Sequence, residues 1–242
     1  MKKCVFCLIT DESKFNTKEH ILPESLGGGD WAILPSGLFC DNCQNIFGST
    51  IEQQALADYP LVNFRTIMGI PTKKQKAPWF KYWQGTLISG GRPGSIIYEP
   101  NEVFKSSFES GQKKHTIIPS ETKKPEMLLR TLLKIGIETI GANDNKLVFE
   151  ERFNPARKYA LKGIKDFPWF YIQKEDNELL NRYLKEDWDD YHSFMDVHYE
   201  ENGLVFLRFR LYYLEFIVPL VENVILEQNH KFNDPKERIV IV

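Results

Sequence analysis

The spacing of apolar positions changes several times along the chain, and each change marks a predicted element. Residues 15–22 read as a short strand carrying Glu19 and His20, after which Pro23 and the run Gly27, Gly28, Gly29 force a loop. Residues 37–40 return as a second strand. Asp41 suits an N-cap, and over residues 42–57 Ile46, Phe47, Ile51 and Leu56 recur at roughly helical spacing. The predicted order is β-β-α, with Cys43 and Gln44 in the first turn of the helix, beside its positive end.

Further along the pattern is mixed. Residues 69–78 are rich in lysine and proline and read as a linker or exposed loop. Aromatic stretches at residues 79–88 and 96–98, broken by Gly-Gly and Pro-Gly, suggest a strand pair. Pro125 fits the first turn of a helix in which Leu128, Leu129, Leu132, Leu133 and Ile140 repeat at helical spacing. Residues 178–188 read as another helix. From Tyr191 the chain turns to strands, with Asn202-Gly203 as a two-residue turn between residues 195–199 and 204–211. The fold class is therefore α+β: a small module over residues 1–60 followed by a larger mixed α+β domain over residues 61–242.

A chain of 242 residues with 42% apolar residues can bury one large core or two modest ones, which suits that split. The apolar stretch over residues 4–9 is shorter than the core of a signal peptide and runs into Asp11 and Glu12. No segment approaches the ~18 uninterrupted apolar residues of a membrane helix. These features predict a soluble, cytoplasmic protein with no membrane contact, and in a reducing cytosol paired cysteines favour metal over disulfide.

The formal net charge of −2 hides a partition. Lys and Arg number 4 against 8 Asp and Glu over residues 1–60, 12 against 5 over 61–130, 10 against 8 over 131–185, and 5 against 12 over 186–242. The second block has no aspartate. Its Lys73, Lys74, Lys76, Lys81 and Arg92, continued by Lys105, Lys113, Lys114, Lys123 and Lys124, are interleaved with Trp79, Phe80, Tyr82 and Trp83. Such a block is either a nucleic-acid face, where each neutralised phosphate releases condensed counterions, or a solvated lysine-rich surface.

The candidate chemistry sits in the first segment. All four cysteines fall into two Cys-x-x-Cys pairs, Cys4/Cys7 and Cys40/Cys43. Each pair can curl around one ion, and two pairs supply the four thiolates of a tetrahedral structural zinc. An iron–sulfur cluster and a thioredoxin-like redox pair are alternatives, although the latter needs only one pair in a βαβ setting. Between the pairs stands Glu19-His20. A neutral imidazole can take a proton from water near pH 7, and a carboxylate suits a hard divalent ion such as magnesium or manganese. Strand alternation would point the two side chains to opposite faces, so a twist or bulge must bring both to one site.

The run Cys-Val-Phe-Cys, then Thr-Lys-Glu-His-Ile-Leu-Pro-Glu-Ser-Leu-Gly-Gly, then Gly-Leu-Phe-Cys-Asp-Asn-Cys-Gln-Asn-Ile-Phe-Gly-Ser-Thr-Ile-Glu, resembles the zinc-bound form of the HNH endonucleases over roughly residues 1–58. The resemblance implies a ββα-metal fold stapled by zinc on the four cysteines. It also implies His20 as general base, and Glu19 as ligand of a catalytic magnesium or manganese. The family usually has a metal-binding Asn or His directly after the fourth cysteine; Gln44 stands there, with Asn45 one step later as the alternative ligand. A loop-bracing Asn is expected where this chain has Pro35.

Three functions compete at this level. One is a metal-dependent endonuclease hydrolysing DNA, with RNA kept open, whose basic block grips the backbone. Another is a zinc module that binds nucleic acid with little catalysis, motivated by Gln44 and Pro35. The last is a nuclease effector of bacterial defence whose C-terminal domain answers to a protein or small-molecule regulator. Asp196 and His198 share a strand face, but the predicted hairpin sets them against Phe209 and Leu207 as ordinary strand residues. His115, His192 and His230 have no recognisable partners.

Overall fold

Two backbone pairings shape the N-terminal segment in the computed structural model, which describes residues 2–72, 74–111, 120–183, 193–222 and 237–242. His20 bridges Ile33 in antiparallel fashion, flanked by Ile21 N–H donating to the Ala32 carbonyl (2.7 Å) and Leu34 N–H to the Glu19 carbonyl (3.0 Å). The arm opposite Glu19-His20 is therefore residues 32–34 and not residues 37–40. That second stretch instead runs beside the first cysteine knuckle, where Lys3 N–H donates to Gly37 (2.9 Å) and Val5 N–H to Leu38 (2.8 Å). The ladder at His20 stays short because Asp41 takes the donors needed to extend it: its carboxylate accepts from the N–H groups of Asn16 (3.0 Å) and Thr17 (3.1 Å). Asp41 is thus the first helical residue and ties its helix to the strand arm, where a cap of its own helix was expected.

The predicted helix over residues 42–57 consists of α1 (Asp41–Ile46), a π-helical stretch (Phe47–Glu52) and α2 (Gln53–Leu56). In an α-helix, positions four apart drift steadily around the axis. The wider i→i+5 turn holds that drift back, and Gln44, Gly48 and Glu52 all face one cleft. Helix α3 (Leu61–Met68) follows and packs against residues 24–26 and the next two strands. The 79–88 stretch is itself a hairpin, β1 (Trp79–Tyr82) and β2 (Gly85–Ser89), completed by β3 (Ile96–Pro100) into a three-stranded antiparallel sheet. Helix α4 (Glu102–Glu109) is capped by Asn101, whose side chain accepts from Phe104 N–H (3.2 Å).

Helix α5 (Pro125–Asn143), with Pro at its start as predicted, is buried along almost its whole length. The second sheet packs on it, with α6 (Asn154–Lys162) alongside. That sheet holds β4 (Phe170–Glu175), β5 (Ser193–Tyr199), β6 (Val205–Leu211), β7 (Leu214–Pro219) and β8 (Glu237–Ile241), in the order β5-β6-β7-β4-β8 and all antiparallel. Val205, Leu207, Phe209 and Leu211 alternate inward along β6. Gly136 permits the close approach of helix and sheet, because a Cβ there would lie 2.5 Å from a methyl of Leu220. Helix α7 (Asn177–Tyr183) begins where the pattern placed it; the predicted continuation to residue 188 lies outside the described residues.

The β5–β6 hairpin closes one residue differently from expectation. Glu200 N–H donates to Leu204, leaving Glu201, Asn202 and Gly203 as a three-residue loop with Gly203 at φ 84. The register shifts accordingly, so that Asp196 faces Arg208 and His198 faces Phe206. Most buried apolar residues of both sequence segments form one cluster running from Cys4 and Phe47 through α5 to Phe216, with Phe170 and Ile172 in a smaller separate one. A polar clamp supplements it: the Asp58 carboxylate accepts from Thr122 Oγ1 (2.9 Å) and from the N–H groups of Lys123 and Lys124 (both 2.7 Å), at the entry to α5.

Candidate active site and metal centre

The first cysteine knuckle is a tight turn. Leu8, at φ 63, donates its N–H to the Cys4 carbonyl (3.0 Å), and Cys4 N–H returns to Ile9 (2.9 Å). The second knuckle enters α1, where Gln44 N–H donates to the Cys40 carbonyl (3.0 Å). Together they bring the sulfurs of Cys4, Cys7, Cys40 and Cys43 within 4.8 Å of one another, with Cys7 and Cys40 at 3.5 Å. Zinc–sulfur bonds of about 2.3 Å in a tetrahedron require sulfurs about 3.8 Å apart, so the cluster fits a zinc with small adjustment. No two of these cysteines are joined by a disulfide. The sulfurs compete for charge. A hydrogen bond from Cys43 holds the Cys4 thiol down at about 5, while that same contact and then burial push Cys43 up. Burial pushes Cys40 up to about 11. Four deprotonated thiolates therefore need the compensating charge of a metal.

His20 lies on the wall of a cleft of about 550 Å3, lined also by Thr17, Lys18, Glu19, Pro23, Glu24, Ser25, Gln44, Asn45, Gly48 and Glu52. Gly28 shapes the rim: a Cβ there would lie 1.8 Å from the Leu22 carbonyl oxygen, so the loop can fold back after His20 only with glycine at that position. The His20 imidazole is partly exposed, its Nε2 3.8 Å from a carboxylate oxygen of Glu24. Gln44 donates its Nε2–H to the Lys18 carbonyl (2.9 Å), which braces the backbone just before Glu19. Asn45 lies on the same wall and is exposed.

Glu19 and His20 both line the cleft, but they differ in burial. Glu19 is buried and turns inward, where one of its oxygens sits 2.7 Å from Nζ of Lys134 on α5. The same ammonium lies 2.9 Å from Glu52 Oε1 and 3.0 Å from Glu138 Oε2, and donates to the His20 carbonyl at 3.4 Å. It also lies 5.5 Å over the ring of Phe39. Burial alone would lower the Lys134 pKa, but Glu138, Glu52 and Glu19 outweigh it and hold it well above the usual lysine range. Glu138 is pushed up, by burial first; Lys134 pulls against the rise, and Glu19 and Glu52 add to it. Sequence reading missed Glu52, Lys134 and Glu138. The signal was present as two ionisable residues one helical turn apart inside an apolar run. Nothing in that run says what they face.

Oxygen donors suited to a hard divalent ion thus line the cleft, from Glu19, Glu52 and the side-chain amides of Gln44 and Asn45. The Glu19 carboxylate is shared with Lys134. Of the basic block, Lys74, Lys76, Lys81 and Arg92 are exposed on the three-stranded sheet and its loops. Lys73 lies outside the described residues, as do Lys113, Lys114, His115, His192 and His230. The Arg92 loop packs on the end of α3, with Gly94 N–H donating to Ile67 (2.7 Å). Because α3 touches residues 24–26 at the cleft rim, this basic surface is one helix removed from His20. Asp196 and His198 approach to 3.4 Å on the surface strand, both half exposed.

Residues 4–60 match the family model of the HNH endonucleases. No curated protein and no solved structure matches the chain. The N-terminal segment is therefore an HNH nuclease family domain with four cysteines placed to bind a metal, within an α+β chain. Among the described residues no helix is long and apolar enough to cross a membrane.

Proposed function

We propose that the protein is a metal-dependent endonuclease that hydrolyses phosphodiester bonds of DNA, with residues 1–60 as the nuclease module and residues 61–242 binding substrate or a partner. The observation that carries this reading is the convergence of His20, Glu19, Gln44 and Asn45 on one open cleft within the family-matched segment. His20 accepts the proton of the attacking water at its ring nitrogen, and Glu24 beside it steadies the imidazole. Glu19 and Gln44, with Asn45 as the alternative, are the residues that would hold magnesium or manganese. When bound, that ion supplies charge stabilisation to the reacting phosphate. The four cysteines hold the zinc that keeps the module folded. Lys74, Lys76, Lys81 and Arg92, with Lys73, grip the nucleic-acid backbone, and the setting is cytoplasmic.

The engagement of Glu19 by Lys134 favours a second reading, a module that binds nucleic acid with weak catalysis. Relaxation of supercoiled plasmid with manganese or magnesium separates the two. Cleavage by the native chain that His20→Ala lowers by on the order of 10²-fold or more, with folding and DNA affinity retained, supports the nuclease. Metal-independent binding without cleavage supports the second reading.

A further inference from the structure

Helix α5 lies outside the family-matched segment, yet it sends a fully buried ammonium to the back of the cleft. Lys134 Nζ reaches Glu19 and Glu52, both of which also line the cleft, and Glu138 behind them. The Glu52 and Glu138 contacts are ion pairs by distance, but neither contacting oxygen is in hydrogen-bond alignment, and the second oxygen of Glu138 also has no hydrogen-bond partner. The ammonium therefore sits among the carboxylates as a charge, with Glu19 its closest contact. A divalent ion on the cleft side of Glu19 and Glu52 would meet this fixed positive charge through the same two carboxylates.

We propose that Lys134 is a tethered internal cation that competes with the divalent ion for Glu19 and Glu52, so that the helix of the second segment sets how tightly the nuclease module holds its metal. Lys134 is a positioning residue in this scheme, acting through Glu19 and touching neither substrate nor metal. The inference rests on the proposed nuclease reading for the location of the ion.

The test measures metal binding without DNA. Lys134→Met alone strands buried carboxylates, so it is combined with Glu138→Gln, which leaves a nearly isosteric neutral pair deep in the core. Manganese affinity is read by electron paramagnetic resonance of the free ion, and independently by the metal-induced rise in Tm, with Glu138→Gln as control. Removing a unit charge a few ångströms from a divalent ion should tighten manganese binding by on the order of tenfold or more relative to that control. A folded double variant that binds manganese no more tightly overturns the inference. Should the double variant not fold, the native protein with 15N-labelled lysine serves: bound manganese must broaden the Lys134 Nζ signal, and an unbroadened signal overturns the inference. If the native chain cleaves nothing while the double variant gains manganese affinity, the lysine inference stands and the nuclease reading falls.

Discussion

Truncating Lys134 to alanine removes the cation that faces Glu19, Glu52 and Glu138, and leaves their carboxylates confronting one another where water reaches poorly. Breaking a buried ion pair by deleting one partner costs about 3–5 kcal/mol, because the remaining charge stays uncompensated. Against a total stability of about 5–15 kcal/mol that is a large fraction. With a urea m-value near 3 kcal/mol/M the unfolding midpoint should fall by roughly 1–2 M. Equilibrium unfolding followed by tryptophan fluorescence measures it, since Trp169 is buried in the core behind β4. The deficit should depend on pH with a defined sign. Burial already raises the Glu138 pKa in the folded protein, and Lys134 is the group pulling it down, so the variant raises it further. A folded-state pKa above the unfolded value contributes stability that is full below the unfolded carboxylate value, about 4.3, and is lost as pH rises. The gap between native and variant should therefore widen as pH rises through the raised folded-state value of Glu138 in the native protein, and narrow on acidification. A variant within about 1 kcal/mol of the native protein, or a gap that widens in acid, would refute the buried charge cluster.

Purified protein should carry one zinc by elemental analysis, and alanine at Cys4, Cys7, Cys40 or Cys43 should unfold the first segment; iron, or no bound metal in protein prepared without chelator, would count against this. Reversing Lys74, Lys76 and Lys81 to glutamate should weaken DNA binding and flatten its salt dependence, and an unchanged salt slope would make them a solvated surface. Gln44→Ala should abolish cleavage at low metal concentration while Gln44→Asn preserves it and Asn45→Ala is mild, since Gln44 stands on the cleft wall with Glu19 and an Asn amide offers the same oxygen donor. Inactivation by Asn45→Ala with Gln44→Ala tolerated would move the ligand by one residue.

Much of the metal centre was legible in the chain because its information is local. A Cys-x-x-Cys spacing dictates that two sulfurs curl around one point, and the matching second pair names the donor set. Periodicity likewise gave α5 its start at Pro125, since 3.6-residue spacing is a property of consecutive residues. Register was less secure. A two-residue reading of Asn202-Gly203 misplaced the partners of Asp196 and His198 by one position, because which residues close a hairpin depends on the hydrogen bonds across it. The strand arm opposite His20 was misassigned for a related reason: Asp41, distant in sequence, takes the backbone donors of Asn16 and Thr17 and ends the ladder early.

The surroundings of Glu19 belong to tertiary structure alone. Sequence marked Glu19 as an acidic residue next to a histidine, free to meet a metal. The fold brings Lys134 to it from 115 residues away, with Glu52 and Glu138. An ion pair depends on distance through space and on the exclusion of water, and neither is written in the order of residues. The chain by itself determined which side chains could do chemistry. Only the packing of α5 against the first segment decided which charge each of them faces.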